Sequence, residues 1–399
     1  MFAGGCTLEA ARVVCDSAIE GLVALIDDNL VVASVADGGS RYWMLETVRE
    51  YATQQLETAG EREEIGARHH KYFLELAERC NLFAEAELPQ NFDTANSEQD
   101  NLRAAIGWPR ERGQDGAALR LTVALENFWV THDPEEGVRL LADLTAPERD
   151  LTHELRARGL RALGSSRQAL GQLEEAERHY HQSRAAFTAL DDDKAIAILD
   201  YRLGLTAAER GNTDTASRLL ERSLDVFRAI GSRRGEAQAT GALGTVARAR
   251  GDRPAAARLF RQSAAMCEQI GRPWWQALML AEAGELALED GNLDASATYA
   301  TRLLKLATHI GDRRRTILGL LQIACAAARG GEIERAQRIC AVLNGESSGL
   351  ADSIASARYA EHVAAMLVRA RPELPSSRRQ GSALTLEDAI DAALATATN

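Results

Sequence analysis

Gly211-Asn-Thr-Asp-Thr-Ala216 returns 40 residues later as Gly251-Asp-Arg-Pro-Ala-Ala256, and the pair belongs to a series of five. Gly171-Gln-Leu-Glu-Glu-Ala176 precedes it, and Gly291-Asn-Leu-Asp-Ala-Ser296 and Gly331-Glu-Ile-Glu-Arg-Ala336 follow in the same phase. A second series keeps that phase: Leu163-Gly164, Leu203-Gly204, Leu243-Gly244, Ala283-Gly284 and Ile323-Ala324. A third runs Leu190-Asp191, Ile230-Gly231, Ile270-Gly271 and Ile310-Gly311. Self-similarity at a fixed period marks stacked supersecondary units that bury a continuous core only as an array.

Each unit reads as helix, tight turn, helix. Leu-Gly falls in the first helix, where glycine costs about 1 kcal/mol relative to alanine, so its recurrence predicts close approach of a neighbouring helix. The turn glycine then closes that helix in a left-handed cap, and Asn212, Asp252 or Asn292 opens the next connection. Five residues on comes a small residue (Ala176, Ala216, Ala256, Ser296, Ala336), and four further Tyr180, Leu220, Phe260 or Cys340, on the same helical face.

Composition agrees with helices. The chain has 399 residues, 46% hydrophobic and 5% aromatic, with 8 prolines and 31 glycines, which argues against disorder, sandwiches and collagen-like chains. Asp and Glu number 58 against 46 Lys and Arg, so the net charge of -12 disfavours a polyanionic partner. Only Lys71, Lys194 and Lys305 are lysines. A basic leader followed by an apolar run is absent from the first residues, and no stretch approaches a membrane span, so the expectation is a cytoplasmic protein. Six scattered cysteines without CxxC spacing predict small buried thiols rather than a zinc site or a disulfide framework.

The repeats resemble the tetratricopeptide repeat, a 34-residue helical hairpin, here with about six extra residues between hairpins. The Leu-Gly pair, the alanine twelve residues after that glycine and the aromatic or leucine four later carry the resemblance, over roughly residues 157–356. Ahead of them, Thr7 to Cys15 and Ser17 to Ile26 read as short helices capped at Thr7 and Ser17. Leu30-Val-Val-Ala-Ser34, an Asp37-Gly-Gly turn and Arg41-Tyr-Trp-Met44 read as a hairpin, and Leu45 to Ala59 as a helix stopped by Gly60. Phe2-Ala-Gly-Gly, Leu22-Val-Ala-Leu-Ile-Asp-Asp-Asn-Leu30 and Met44-Leu-Glu-Thr-Val-Arg-Glu-Tyr-Ala52 resemble the winged-helix region of actinobacterial STAND regulators. Glu98-Gln-Asp-Asn-Leu-Arg-Ala-Ala-Ile-Gly-Trp108, Asn127-Phe-Trp129 and Glu136-Gly-Val-Arg-Leu-Leu141 are similar to the helices that join ATPase and repeats in that family.

The resemblance implies an NB-ARC type ATPase ahead of this point, a repeat sensor after it and often a LuxR-type helix-turn-helix at the end. The departures are specific. None of the three lysines follows glycine, so no GxxxxGK[ST] phosphate loop exists, and the chain is expected not to hydrolyse ATP. ATP is a cofactor expectation for the missing family domain only. The start at Met1-Phe-Ala-Gly-Gly falls inside the family's winged helix, so the ATPase lies on another polypeptide, belongs to a longer reading frame or has been lost. Thr385 to Leu394 resembles the helix that precedes the family's DNA-binding domain, and residues 395–399 are too few to hold that domain.

The fold expected is therefore all-α: a winged-helix remnant with a short β-hairpin over 1–60, a helical bridge over 61–150, five tetratricopeptide-like repeats over 151–356, and C-terminal helices and linker over 357–399. In such solenoids the first helix of each pair lines the groove. Exposed side chains there make Arg158, Arg161, Tyr201, Gln238, Arg248, Glu285 and Arg329 the binding candidates. Their mixed character points to a protein or peptide partner or a small effector, not to a carboxylate clamp, and contact with a separate ATPase or DNA-binding polypeptide is open. No direct nucleic-acid or membrane binding is expected.

His69-His70 and His179-x-His181 lack metal spacing and read as solvated helix histidines. Trp274-Trp275 reads as packing, and Arg313-Arg-Arg315 and Arg378-Arg379 as solvated loops. Glu9 to Asp37 carries Arg12 as its sole cation, which favours intramolecular packing of the winged helix over DNA binding. No nucleophile, base and orienting group share a recognisable spacing. The reading is a non-catalytic sensor and interaction region of a STAND-like transcriptional regulator; the alternative is a free-standing scaffold with no link to transcription.

Overall fold

A computed structural model describes residues 2–16, 19–36, 39–79, 90–346 and 385–394. The chain forms two compact units, Met1–Val130 with Glu135–Ser166, and Thr131–Pro134 with Arg167–Asn399. The fold is a tetratricopeptide-like helical solenoid with a small sheet near the N-terminus.

In the second unit the period is built from equal parts. The first helices are α12 (Asp193–Glu209), α14 (Arg233–Ala249), α16 (Pro273–Glu289) and α18 (Arg313–Arg329). The second helices are α11 (Leu173–Ala189), α13 (Thr213–Ala229), α15 (Arg253–Gln269), α17 (Leu293–His309) and α19 (Ile333–Glu346). From α11 through α18 each helix has 17 residues, and three residues join each to the next. Two helices and two such turns make the 40-residue period, so the expected six-residue spacer between hairpins does not exist as one piece. The turns fold as the glycines require: Gly211 has φ +80° and Gly231 φ +69°. Asn212 N then donates to Ala207 O at 2.8 Å, and Ser232 N to Phe227 O at 2.8 Å, which satisfies carbonyls the helix ends leave open. Asp192, Ser232, Asp252, Asn292 and Asp312 accept from the third residue onward and cap the following helices.

The small-then-large stripe is the core. Ala176, Tyr180, Ala216, Leu220, Ala256, Phe260, Ser296 and Ala300 are each fully buried. The Leu-Gly expectation also holds: a Cβ on Gly204 would lie 2.7 Å from Leu220 Cγ, and one on Gly244 2.8 Å from Phe260 Cδ1. Buried serines on second helices add a polar stitch, Ser223 Oγ donating to Ala197 O at 2.8 Å and Ser263 Oγ to Ala237 O at 2.7 Å. Before two of the turn glycines an arginine pairs with the opening of the preceding second helix, Arg210 with Glu177 at 2.7 Å and Arg250 with Asp214 at 2.5 Å. At the next turn the signs are exchanged, Asp290 pairing with Arg253. The C-terminal helix α20 (Leu386–Leu394) lays Ala389 and Ala393 into the same core as α18, and Arg335 Nη2 donates to Ala393 O at 2.6 Å.

The first unit opens with strand β1 (Cys6–Thr7), helices α1 (Leu8–Cys15) and α2 (Ile19–Asp27), and strands β2 (Val32–Ala36) and β3 (Gly39–Trp43). The strands run antiparallel in the order β1-β3-β2, with Cys6 opposite Tyr42 and Val32 opposite Trp43. The hairpin was expected; β1 is too short to show alternation. Thr7 Oγ1 accepts from Ala10 N at 3.1 Å as the expected cap, while Ser17 lies outside the described residues. α3 (Glu46–Thr58) ends before Gly60 at φ +74°. Then come α4 (Arg62–Arg79), α5 (Gln90–Ser97), α6 (Gln99–Arg110), α7 (Asp115–Ala124), α8 (Glu126–His132), α9 (Pro134–Leu144) and α10 (His153–Ala169). Phe73, Leu102, Ile106, Leu119, Leu121, Trp129 and Leu141 fill this unit's core.

Three expectations need correction. His69 and His70 are buried, not solvated, because α4 is packed against α1, α6 and α7 and so buries more than one stripe. His69 lies against Phe2 and Phe73, and His70 Nδ1 is 2.8 Å from Ala105 O. Arg313 to Arg315 form the first turn of α18 rather than a loop, and the Arg315 guanidinium sits 4.0 Å over the Trp274 ring. Cys6, Cys267 and Cys325 are buried as expected, but Cys15 is exposed. Arg378 and Arg379 lie outside the described residues, as do the side chains of Cys80 and Cys340.

Candidate functional site

The first helices of the second unit meet along one face, where α14 and α16 are joined by a charge cluster. Glu282, Glu285 and Glu289 are spaced three and four apart on α16, which sets them on one stripe. From α14 Arg248 reaches all three, with N to O distances of 3.0, 3.2 and 2.6 Å. Burial alone would lower the Arg248 pKa, but Glu285, Glu282 and Glu289 hold it above its ordinary value. Arg253 adds a second cation at Glu289, 3.2 Å away, beside its pair with Asp290. Glu289 and Thr245 are exposed on this face, so the cluster borders solvent.

The seven candidates are distributed unevenly. In the first unit, Arg158 is exposed and pairs with Glu154 at 2.6 Å, one turn away on its own helix. Arg161 instead turns inward to Glu126, which is 1% exposed and also accepts from Ser165 Oγ at 2.7 Å. In the second unit Arg248 and Glu285 are brought together, and Arg329 Nη1 donates to Leu288 O at 2.8 Å, tying α18 to α16. Tyr201, Gln238 and Glu285 are buried, at 5%, 9% and 5% exposure, where exposed side chains were expected. Burial raises the Tyr201 pKa. For Gln238 and Glu285 the reason is close contact between first helices: a Cβ on Gly241 of α14 would lie 2.5 Å from Met279 Sδ of α16, and one on Gly284 of α16 2.5 Å from Gln322 Oε1 of α18.

Trp274 and Trp275 meet edge to face at 5.2 Å, half-buried, with Arg315 stacked on Trp274, which fits a packing role. No group of histidine, cysteine and carboxylate side chains able to hold a metal ion occurs among the described residues.

What the residue pattern alone did not disclose was that Glu282 and Glu289 belong with Arg248. The spacing Glu282, Glu285, Glu289 was a readable signal for a stripe, whereas its cation, 34 residues or more away, was not. Asp200 of α12, 1% exposed, was also missed; it is held by Arg184 of α11 at 2.7 Å and Arg222 of α13 at 2.5 Å.

Residues 195–269, which span α12 to α15, match the tetratricopeptide repeat family. Proteins named as HTH-type transcriptional regulators from Mycobacterium bovis and Mycobacterium tuberculosis are 39% identical over 135 residues. The match covers 32% of this chain and only 15% of each regulator's length. Among solved structures, a STAND protein with a tetratricopeptide repeat sensor from Pyrococcus horikoshii aligns with 92% of this chain and 61% of its own, at 13% identity and a TM-score of 0.50. A Rap protein complexed with Competence and Sporulation Factor aligns with 77% of this chain and 81% of its own, at 11% identity and a TM-score of 0.52. Aspartyl phosphate phosphatase F from Bacillus subtilis aligns with 84% and 92%, at 10% identity and a TM-score of 0.52. At these identities the structural likeness is one of fold. No helix among the described residues is long and apolar enough to cross a membrane.

Proposed function

We propose that the chain is a non-catalytic sensor and protein-interaction region of a STAND-like transcriptional regulator, and that it takes a protein or peptide partner on the first-helix face of its second unit. The observation that carries this reading is the polar strip on that face, where Arg248 lies among Glu282, Glu285 and Glu289 beside the exposed Thr245. Repeat solenoids are scaffolds whose specificity lies in such surfaces. Similarity to HTH-type regulators supports the link to transcription, and the likeness to a STAND protein with a repeat sensor supports a sensing role. A related fold has been solved with Competence and Sporulation Factor bound, which supports a protein or peptide ligand.

The test is capture of bound partners by the full chain from the cells that make it, repeated with Thr245→Arg and Glu289→Lys. Because Glu289 also holds Arg248 and Arg253, a thermal melt checks that each variant is folded at the capture temperature, and each is then expected to weaken capture by about tenfold or more, the equivalent of about 1.4 kcal/mol. Capture identical to wild type in both variants refutes this site. Loss of capture with no change in transcription of any gene leaves the partner and removes the regulator.

A further inference from the structure

α2 has the sequence Ile-Glu-Gly-Leu-Val-Ala-Leu-Ile-Asp, and none of its residues is buried. Leu22, Leu25 and Ile26, spaced as one inward stripe, are half-buried. Ile19 and Val23, one turn apart along the flank of that stripe, are 54% and 48% exposed. Leu30, 40% exposed, continues from the helix end, where Asn29 at φ +58° turns the chain and Leu30 N bonds to Leu25 O at 2.9 Å. The setting is unusual for this protein. Of the twelve large apolar side chains exposed among the described residues, nine fall between Leu8 and Tyr51. Isolated exposed leucines are ordinary, but their concentration between Leu8 and Tyr51 marks an interaction surface.

The charges around this helix select among occupants. Glu20, Asp27 and Asp28 flank it, all exposed, and Arg12 is the only cation in the first 40 residues against six acids. A nucleic acid or an anionic membrane is repelled by such a rim. A second copy would set acids against acids. What fits is an apolar patch of opposite rim charge, since like-charge juxtaposition across an interface is costly and opposite charge fixes register.

We propose that the exposed flank of α2, formed by Ile19 and Val23 with Leu30 just beyond the helix end, docks a different protein surface that is aliphatic at its centre and ringed by arginine or lysine. The surface lies in the first unit and is independent of the partner face proposed for the second.

The test places a photo-crosslinking p-benzoylphenylalanine at Val23 of the full chain in the cells that make it, with the same residue at the exposed Glu221 of α13 as the control. The expected result is a crosslink from position 23 to a stretch of another protein that combines aliphatic residues with flanking arginine or lysine. Its yield falls about tenfold in Ile19→Asp and falls again when salt is raised from about 0.05 to about 0.5 M, because the rim charges are screened. Thermal unfolding of Ile19→Asp stays close to wild type, since Ile19 is 54% exposed. A crosslink only to this chain's own copies, to lipid or to nucleic acid overturns the proposal, as does a stretch without cations, an equal yield at position 221, or no crosslink at all.

Discussion

Replacing Arg41 with alanine tests how the N-terminal element is fixed to the helical bridge. Arg41 donates to both oxygens of Glu98, at 2.7 and 3.1 Å, and twice to Gly4 O, at 3.2 and 2.9 Å. Glu98 belongs to the same knot as Asn101, whose Nδ2 donates to Glu98 Oε2 at 2.6 Å and to Gly5 O at 2.7 Å, and whose Oδ1 accepts from Ala3 N at 2.8 Å. The Glu98 side chain is 5% exposed and that of Arg41 21%, so solvent does little to replace what is lost. Stripping a buried carboxylate of its cation costs about 3–5 kcal/mol. The surviving Asn101 bond places the expected loss near the lower bound, about 3 kcal/mol.

The measurement is urea unfolding of the full chain in a Trp274→Phe, Trp275→Phe background, so that fluorescence reports Trp43, Trp108 and Trp129 of the first unit. A double-mutant cycle with Glu98→Gln isolates the pair. The neutral amide does not need a cation, so Arg41→Ala is expected to cost about 1 kcal/mol there, leaving a coupling of about 2 kcal/mol. A loss below about 1 kcal/mol in the first background, or a coupling near zero, would show that the pair behaves as an exposed ion pair and would refute the reasoning.

Other expectations concern packing, protonation and charge. Gly244→Ala should lower stability by about 1 kcal/mol, because overpacking against Phe260 costs about 1–3 kcal/mol and helix propensity returns about 1. Gly107→Ala, where a Cβ meets nothing within 4 Å, should instead raise it by about 0.5–1 kcal/mol, and thermal melts that rank the two the other way sink the packing argument. Burial lowers the His69 pKa from 6.5 to about 3, so the neutral ring stabilises the fold fully above pH 6.5. That contribution is lost as pH falls from 6.5 towards 3, by about 1.4 kcal/mol per unit, or about 2 kcal/mol at pH 5. His69→Leu should flatten the profile in that window, and an unchanged slope counts against it. Arg248→Ala leaves Glu282, Glu285 and Glu289 without that cation; its melting temperature should fall and partly recover in high salt, and no recovery argues against repulsion as the cause.

Periodicity alone determined the repeat architecture, because turn chemistry and side-chain volume act over a few residues and recur with the chain's own spacing. Gly211, Gly251 and Gly291 each adopt the left-handed φ that ends a helix, and Ala216 with Leu220 or Ala256 with Phe260 lie on one buried stripe as their spacing requires. The hairpin at β2 and β3 was legible for the same local reason. The tertiary structure decided which polar groups are inside. Nothing near His69 in sequence announces Phe2, and nothing near Glu98 announces Arg41, 57 residues earlier. The candidate face shows the same division. Gln238 and Glu285 share the helical face expected to be exposed, yet they are buried where neighbouring first helices approach closely at Gly241 and Gly284, and Tyr201 is buried on the same face. Arg248 remains at the edge because three carboxylates from the next repeat meet it there. Burial is a property of the distance between helices, which the spacing of residues along one helix does not contain.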